Sequence, residues 1–306
     1  MKTKDVQKCS QINDPWDTLF TERVSLVLAK LFAKWGLKPN TVTLMSIIAG
    51  VTGGVLFVFD NLWLTIAGIV LEILGAIFDC ADGQVARITH KGSRIGRFFD
   101  GFGDGVVYTS IYLGVFLRIM LHDNIPFTDT PWSFWVLLIA PVAIYFHPRQ
   151  ARIADRYKQV YMFMSRNEKG SELDTKETLE KEFKGTGKNA FENMMINSYI
   201  SYTKTQEKET PVTTKLIKKI GENNGEIPEK IAKMYSSHLG LAKATNLLVF
   251  NLRTYILFGL LIADHFVGNG ITVWIFALLL VFFEPIALVV EYKFEKIAKK
   301  ALEEGF

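Results

Sequence analysis

Four aspartates flank one short connection in the first third of the chain. Asp79 and Asp82 are three residues apart, and Asp100 and Asp104 are four apart, so on helices each pair projects from one face. Antiparallel neighbouring helices joined by a tight turn would bring the two faces together. Converging carboxylates repel one another unless cations neutralise them, and ligands that are all oxygens favour Mg²⁺ or Mn²⁺. Such ions commonly bridge phosphate oxygens, and a pair of them can stabilise the attacking and leaving oxygens of a displacement.

Small residues are interspersed with these aspartates. Gly83, Ala86 and Gly96 remove side-chain bulk where a flat base or a diphosphate would have to approach the helix backbone. A glycine or alanine near a membrane span can equally serve helix packing. Their role in making room for a ligand therefore depends on the motif around them.

The composition indicates a membrane protein. Of the 306 residues, 49% are hydrophobic and 22% are charged, and the mean hydropathy is still +0.18. The charges are segregated from stretches of about twenty apolar residues, the length that crosses a hydrocarbon layer of about 30 Å. We therefore predict an all-α, polytopic membrane protein in contact with membrane lipid and without a nucleic-acid partner.

Six transmembrane helices are predicted to position the aspartates. Their expected bounds are Thr41–Phe59, Leu62–Phe78, Gly101–Leu121, Trp132–Phe146, Leu247–Phe266 and Ile271–Val290. The connections after spans one, three and five contain no Lys or Arg, so the positive-inside rule places both termini and the aspartates on the cytoplasmic side.

Four regions follow from this pattern. Residues 1–38 form a cytoplasmic N-terminus with an interfacial amphipathic helix, and residues 39–147 hold spans one to four with the motif. Residues 148–245 are a polar cytoplasmic insertion, and residues 246–306 hold spans five and six with a cytoplasmic C-terminus.

Local signals mark helix starts in two of these regions. Asp14 and Pro15 predict the start of the amphipathic helix, and Asp174 with Glu177 predicts a capping box in the insertion. Apolar residues recur on one face of the amphipathic helix, which is typical of a helix at the membrane interface: Trp16, Phe20, Val24, Leu28, Phe32 and Trp35.

The residues around the connection resemble the signature of the CDP-alcohol phosphotransferase family, also called CDP-alcohol phosphatidyltransferases. The pattern D-x2-D-G-x2-A-R-x8-G-x3-D-x3-D is matched at every defined position: Asp79, Asp82, Gly83, Ala86, Arg87, Gly96, Asp100 and Asp104. The segment from Pro39 to Thr43, before the first span, is also similar to the usual lead-in of this family.

This resemblance implies an integral membrane enzyme of phospholipid biosynthesis with six transmembrane helices, generally a homodimer. It implies a binuclear magnesium site in a polar cavity that faces the cytoplasm. The reaction moves a substituted phosphoryl group from a CDP-linked donor to an alcohol and releases CMP, without a covalent enzyme intermediate.

The resemblance also implies a role for each signature residue. Asp79, Asp82 and Asp100 would hold metal. Asp104 would contact the second metal ion and act as the general base that takes the proton from the acceptor hydroxyl. Arg87 would pair with phosphate or a neighbouring carboxylate, while the small residues Gly83, Ala86 and Gly96 would leave room for the CDP group.

The signature does not separate two kinds of substrate pair. One kind is CDP-diacylglycerol with a polar acceptor such as inositol, inositol phosphate or another polyol, and the other is CDP-choline or CDP-ethanolamine with diacylglycerol. Arg149, Arg152 and Arg156 share one face of the helix leaving span four and could hold an anionic acceptor or serve as positive-inside anchors. We favour CDP-diacylglycerol and a polyol or polyol phosphate, because a charged headgroup needs such cations.

Two other classes of function fit the composition less well. An ion-coupled transporter also uses membrane carboxylates, but such sites usually lie near the bilayer midplane between related repeats, and here they lie at the ends of adjacent spans. A catalytically inactive scaffold would be expected to have lost at least one of the four aspartates.

Three further ionisable residues are predicted inside the spans at a similar depth: Glu72, Arg253 and Glu284. An ionisable side chain there needs a partner or a polar cavity. We therefore expect Arg253 to face the interior of the bundle and to pair with Glu284 or Glu72.

Overall fold

A computed structural model describes residues 20–125, 128–138, 140–166, 173–223, 225–267 and 282–305. Helices are the regular elements of these ranges, as predicted, with 3₁₀ turns at Ser133–Leu138 and Thr245–Leu247. The α-helices are α1 (Glu22–Lys34), α2 (Pro39–Leu56), α3 (Leu62–Thr89), α4 (Arg94–His122), α5 (Ala140–Arg166), α6 (Lys176–Phe183), α7 (Ala190–Glu209), α8 (Pro211–Glu222), α9 (Glu229–Ser236), α10 (Leu239–Ala244), α11 (Phe250–Val267) and α12 (Phe283–Glu304).

Four of the described segments are long and apolar enough to cross a membrane: Pro39–Leu56, Leu62–Thr89, Arg94–His122 and Leu239–Val267. They correspond to predicted spans one, two, three and five. Predicted span four instead opens on the 3₁₀ turn and continues in α5, whose second half is charged. Predicted span six begins in a stretch outside the described residues, so the total of six spans and their orientation in the membrane stay predictions.

The two aspartate helices extend beyond their predicted spans. The predicted second span ends at Phe78, but α3 continues to Thr89, and α4 begins at Arg94 rather than at Gly101. Hydropathy shows where an apolar run stops, and a helix can continue into polar sequence when nothing there breaks it. The defined residues of the signature therefore lie on α3 and α4, on either side of the short connection.

Local capping sets the tight connection between α3 and α4. His90 has a left-handed backbone (φ 53°) and ends α3, a conformation common at helix C-termini. Ser93 then caps α4, because its hydroxyl accepts a hydrogen bond from the amide of Gly96 at 2.9 Å. The chain thus reverses within a few residues.

Glycines let α2 lie close to both aspartate helices. A Cβ on Gly68 of α3 would stand 2.9 Å from the carbonyl oxygen of Gly53, and one on Gly54 would stand 2.6 Å from the backbone of Ser110 in α4. Small residues at such interfaces allow membrane helices to approach backbone to backbone. Helix α2 therefore packs against both α3 and α4.

Helix α1 corresponds to the second half of the predicted amphipathic helix, and it packs against α3. Ser25, Ala29 and Phe32 are buried, whereas the apolar Val27 and Trp35 are 69% and 64% exposed. The apolar residues thus divide between the contact with α3 and the outer surface. The predicted start at Asp14 and Pro15 lies outside the described residues, and the location of α1 at the membrane interface stays a prediction.

The described residues fall into two compact units, here called the motif unit and the charged unit. The motif unit comprises the described residues within Met1–Pro141, Met194–Tyr199 and Tyr255–Phe276, and the charged unit comprises the described residues within Val142–Asn193, Ile200–Thr254 and Ala277–Phe306. In the motif unit, the buried Arg118 of α4 fixes α11, since Arg118 Nη2 lies 3.1 Å from Asp264 Oδ2. The four predicted regions are not tested by this division.

In the charged unit, the predicted capping box is wrong by one residue. Thr175 is the N-cap of α6 and Thr178 is its partner, with the Thr178 amide donating to Thr175 Oγ1 at 3.3 Å and the Thr175 amide donating to Thr178 Oγ1 at 3.1 Å. Both pairs have the spacing of a capping box, and Glu177 instead places its charge in the first turn of α6, where the helix dipole favours it.

Candidate metal centre

Three of the four predicted aspartates meet where α3 and α4 approach each other. One carboxylate oxygen from each of Asp79, Asp82 and Asp100 lies within 4.8 Å of the other two. Asp82 is buried, and the other two are partly buried. The helical spacing and the short connection therefore produce the predicted convergence for these three.

Asp104 occupies a different position. It follows Asp100 by one turn of α4, is exposed, and does not belong to the group of three converging carboxylates. A general base must reach the acceptor hydroxyl. The exposed position of Asp104 beside the group therefore suits the predicted role of general base better than the predicted role of metal ligand.

The converging residues fit a divalent metal ion. All three donors are carboxylate oxygens, the ligands that Mg²⁺ and Mn²⁺ prefer. Asp82 also experiences the negative charge of Asp100 and the positive charge of Arg87. Three carboxylates beside one guanidinium leave an excess of negative charge, which a divalent cation would neutralise.

Thr43 of α2 belongs to the centre, although the prediction of site residues missed it. Its side chain is 4% exposed, and its hydroxyl donates a hydrogen bond to Asp82 Oδ2. The Pro39–Thr43 segment, which is similar to the lead-in of the family, is the available signal in the sequence, but the similarity assigns no role to any residue in it. Thr43 fixes the orientation of Asp82, as outer partners of metal ligands commonly do.

We expect Thr43→Val to lower metal affinity and turnover by about tenfold or more, the scale on which such outer partners act. Valine keeps the shape of threonine but removes the hydroxyl that orients Asp82. The measurement is a Mn²⁺ titration together with the rate of CMP release. Thr41→Val, at an exposed position on the same helix, is the control, and equal behaviour of the two variants would contradict the role of Thr43.

The guanidinium of Arg87 folds back along α3. A Cβ on Gly83 would lie 3.6 Å from Arg87 Nη1 and 3.9 Å from Nη2, which are ordinary van der Waals distances, so the position of Arg87 does not itself require a glycine there. At Gly96, a Cβ would lie 3.1 Å from Asn40 Oδ1, so this glycine lets the side chain of Asn40 approach α4. Ala86 is partly buried. Clearance for a CDP group at these three positions stays a prediction.

In the charged unit, two of the three predicted arginines are paired with carboxylates. Arg149 forms ion pairs with Glu284 and Glu291. Arg152 binds Glu209 through two hydrogen bonds, from Nε at 3.2 Å and from Nη2 at 2.7 Å. A phosphate that bound Arg149 or Arg152 would therefore have to contact the guanidinium together with these carboxylates or displace them.

The third arginine, Arg156, is 1% exposed, and none of its guanidinium nitrogens has a hydrogen-bond partner among the described residues. Burial lowers the pKa of Arg156, and the nearby charges of Glu207 and Asp155 act in the opposite direction. Of the three, it carries the charge that is least compensated by direct contacts.

Arg253 is buried, as predicted, and it reaches Glu284 through an intermediate side chain. Arg253 Nη1 donates to Gln150 Oε1 at 2.6 Å, and Gln150 Nε2 donates to Glu284 Oε2 at 2.8 Å. The prediction of a pair with Glu284 did not include Gln150 or the competing Arg149. Glu72 belongs to the motif unit, where it is buried beside Gly53.

Comparisons with known proteins agree with the signature. Residues 37–159 match the family model for CDP-alcohol phosphatidyltransferase, a range that includes α2, α3, α4 and most of α5. Members of this family transfer substituted phosphate groups and use divalent metal ions. Together with the four long apolar helices, the match identifies an integral membrane protein.

One similar relative is the archaetidylinositol phosphate synthase of Pyrococcus horikoshii, which is 32% identical over 115 residues. The aligned part is 38% of this chain and 57% of the relative, so the chain spans little more than half of that relative's length. No solved structure matches the chain. The complete signature, the converging aspartates and the family match lead to one conclusion: residues 37–159 of this chain form a CDP-alcohol phosphatidyltransferase domain.

Proposed function

We propose that the protein transfers a phosphatidyl group from CDP-diacylglycerol to a polyol or polyol phosphate and depends on Mg²⁺. The observation that carries this proposal is the convergence of Asp79, Asp82 and Asp100 within 4.8 Å. The relative named archaetidylinositol phosphate synthase supports inositol phosphate as the first acceptor to test.

Five residues around the metal centre then have a part in the reaction. Asp79, Asp82 and Asp100 would hold divalent ions, which when bound neutralise the diphosphate and stabilise CMP as the leaving group. Thr43 keeps Asp82 oriented, and Arg87 supplies a positive charge beside the same carboxylate.

The bond changes balance without a further reactant. The acceptor oxygen forms a bond to the phosphorus that carries the diacylglycerol, and the bond from that phosphorus to the oxygen of CMP breaks. The hydroxyl proton passes to Asp104, which is exposed and can therefore meet a soluble acceptor. Removing this proton as the new bond forms is the task of a general base.

The direct test is CMP release by the purified full chain in detergent with Mg²⁺ and CDP-diacylglycerol. Inositol, inositol phosphate, glycerol phosphate and serine are supplied separately, and a chelator replaces Mg²⁺ in a control. We expect metal-dependent release with one polyol or polyol phosphate. If CMP is released only from CDP-choline or CDP-ethanolamine with diacylglycerol, the lipid is the acceptor and not part of the CDP donor. If folded protein releases no CMP with any substrate pair, the proposal is overturned.

We also propose a homodimer with both termini and the metal centre on the cytoplasmic side. The orientation is supported by the lack of Lys and Arg in the connections after predicted spans one, three and five. The dimer is supported by the family resemblance. Labelling of single cysteines placed at the termini of the chain in sealed vesicles tests the orientation, and light scattering in detergent tests the dimer.

If Arg149 binds the phosphate of the acceptor, Arg149→Ala should raise the KM for inositol phosphate by about tenfold or more, the scale of a lost hydrogen bond to a charged group. The KM for the CDP donor should change much less. The measurement is the KM for each substrate, with unfolding temperatures measured in parallel because the variant strands Glu284 and Glu291.

Arg152→Ala provides the companion variant, because it strands a different carboxylate, Glu209. Equal changes in both KM values, or lower stability with unchanged KM values, would return these arginines to a structural role in the charged unit.

A further inference from the structure

One face of α12 changes from apolar to cationic residues along the helix. Its first half exposes Pro285, Leu288, Val289 and Tyr292. Its second half exposes Lys293, Lys296, Lys299 and Lys300. Because residues three and four positions apart share a helix face, these residues form one continuous surface, here called the outer face of α12.

The opposite face of α12 packs inside the charged unit. Phe294 is fully buried there. The two carboxylates in the middle of the helix are bound by the protein, since Glu291 pairs with Arg149 and Glu295 accepts a hydrogen bond from the amide of Val212 at 2.8 Å. The negative charges of this part of α12 are therefore used within the charged unit, and the positive charges remain on the outer face.

The order of residues on the outer face is typical of a helix that leaves a bilayer. Leu288 and Val289 are each 51% exposed, and Tyr292 is 68% exposed. Aliphatic side chains suit the hydrocarbon layer, tyrosine is enriched at the membrane interface, and lysine extends its charge to the headgroups. Tyr292 would therefore mark the boundary of the hydrocarbon layer.

Two of the lysines follow Tyr292 at the depth of the headgroups. Lys293 and Lys296 lie one and four residues further along α12, which is roughly 1.5 to 6 Å along the helix axis. The polar layer of each leaflet is on the order of 5 to 8 Å thick. Both charges thus lie within the layer that contains the lipid phosphates.

The four lysines also differ in their partners. Lys299 Nζ lies 4.0 Å from Glu303 Oε1, and Lys300 Nζ lies 3.9 Å from Glu304 Oε1. Lys293 and Lys296 form no ion pair with any residue in the described ranges. Their two charges share one face and are available to an anion.

We infer that Lys293 and Lys296 form a binding site for an anionic phospholipid in the leaflet through which α12 leaves the membrane. The headgroup contacts the two lysines, and the acyl chains lie along the apolar half of the outer face. Each cation close to an anionic membrane surface strengthens binding by about fivefold. The site lies in the charged unit and requires neither a CDP-linked donor nor a metal ion.

The test is a titration of the full chain in non-ionic detergent with phosphatidylglycerol, which is anionic, or phosphatidylcholine, which has no net charge. The measurement is the rise in Tm as lipid is added, because a lipid that binds the folded protein stabilises it. We expect phosphatidylglycerol to act at lower concentrations than phosphatidylcholine. Added salt should weaken the response to phosphatidylglycerol, since it screens exposed charges.

Lys293→Gln combined with Lys296→Gln should weaken the apparent affinity for phosphatidylglycerol by about tenfold or more and leave the response to phosphatidylcholine unchanged. The same pair changed to arginine keeps both charges and should keep the affinity. Without lipid, the Tm of each variant should equal that of wild type, because both side chains are exposed.

Lys299→Gln combined with Lys300→Gln is the matched control, because it removes the same charge from the same helix. These lysines already have carboxylate partners, so the affinity should change by less than about twofold, as is usual for exposed ion pairs. Equal losses in the two glutamine variants would show a response to net charge alone and would overturn the inference. Equal responses of wild type to the two lipids would overturn it as well, whatever the outcome of the transferase assay.

Discussion

Asp82→Asn is expected to lower CMP release by about a thousandfold or more while the protein stays folded. Asp82 is the most buried of the three converging carboxylates, and it receives the hydroxyl of Thr43. Asparagine keeps the shape but removes the charge that would face the cation. Loss of one preorganised electrostatic group commonly reduces rates by about 10² to 10³, and loss of metal would add to this.

Asp82→Asn should not lower the stability of the metal-free protein, although it lowers turnover. Asp82 lies beside the like charge of Asp100, and removing one of two close like charges relieves repulsion. Thermal unfolding without metal should therefore show an unchanged or raised Tm, and added Mn²⁺ should stabilise Asp82→Asn less than wild type.

Asp129→Asn is the matched control, because it removes an exposed carboxylate from the connection after α4. It should leave both turnover and metal stabilisation unchanged. A fall in turnover of less than about tenfold in Asp82→Asn, well below the loss expected for a group of this kind, would remove this residue from the metal centre. A lowered Tm in the metal-free variant would instead mark the carboxylate as a structural group.

The convergence of the aspartates could be predicted because it depends on local geometry. Spacings of three and four residues place side chains on one helix face in any helix, and the connection between Thr89 and Arg94 is too short to separate α3 from α4 at that end. The helical type of α2, α3, α4 and α11 followed from apolar runs, as did the approximate bounds of α2 and α11, the start of α3 and the end of α4.

The support around the aspartates could not be predicted, because it comes from residues far along the chain. Thr43 reaches Asp82 across 39 positions, and the packing of α2 depends on which of its glycines face α3 or α4. A hydropathy pattern contains neither fact. The Pro39–Thr43 lead-in was the one local signal, and it identified the segment but not the hydrogen bond.

The ion-pair partners of the arginines of α5 could not be predicted from the sequence either. Their face and spacing were visible in the sequence, but Arg149 finds Glu284 from 135 positions away and Arg152 finds Glu209 from 57. A cluster of cations looks available for a ligand until its partners are known. Predicted span four corresponds to a 3₁₀ turn after Trp132 followed by α5, which continues into charged sequence, and this span stays a prediction.

Asp104→Asn is expected to reduce kcat by about 10² to 10⁴, the contribution of a general base, with little change in metal affinity. Asparagine cannot accept the proton of the acceptor hydroxyl, whereas the three carboxylates that converge remain in place. The measurements are single-turnover CMP release and a Mn²⁺ titration of the same sample. Gly105→Ala is the control on the next residue, because a Cβ there meets nothing within 4 Å.

The two readouts separate the two roles that the family signature implies for Asp104. A base alters the chemical step alone, so kcat falls while the binding of Mn²⁺ is kept. A ligand of the second metal ion alters both, and Mn²⁺ affinity then falls together with kcat. Because Asp104 is exposed and stands one turn beyond the converging group, we expect the first pattern, and near-normal turnover in Asp104→Asn would require another group to take the proton.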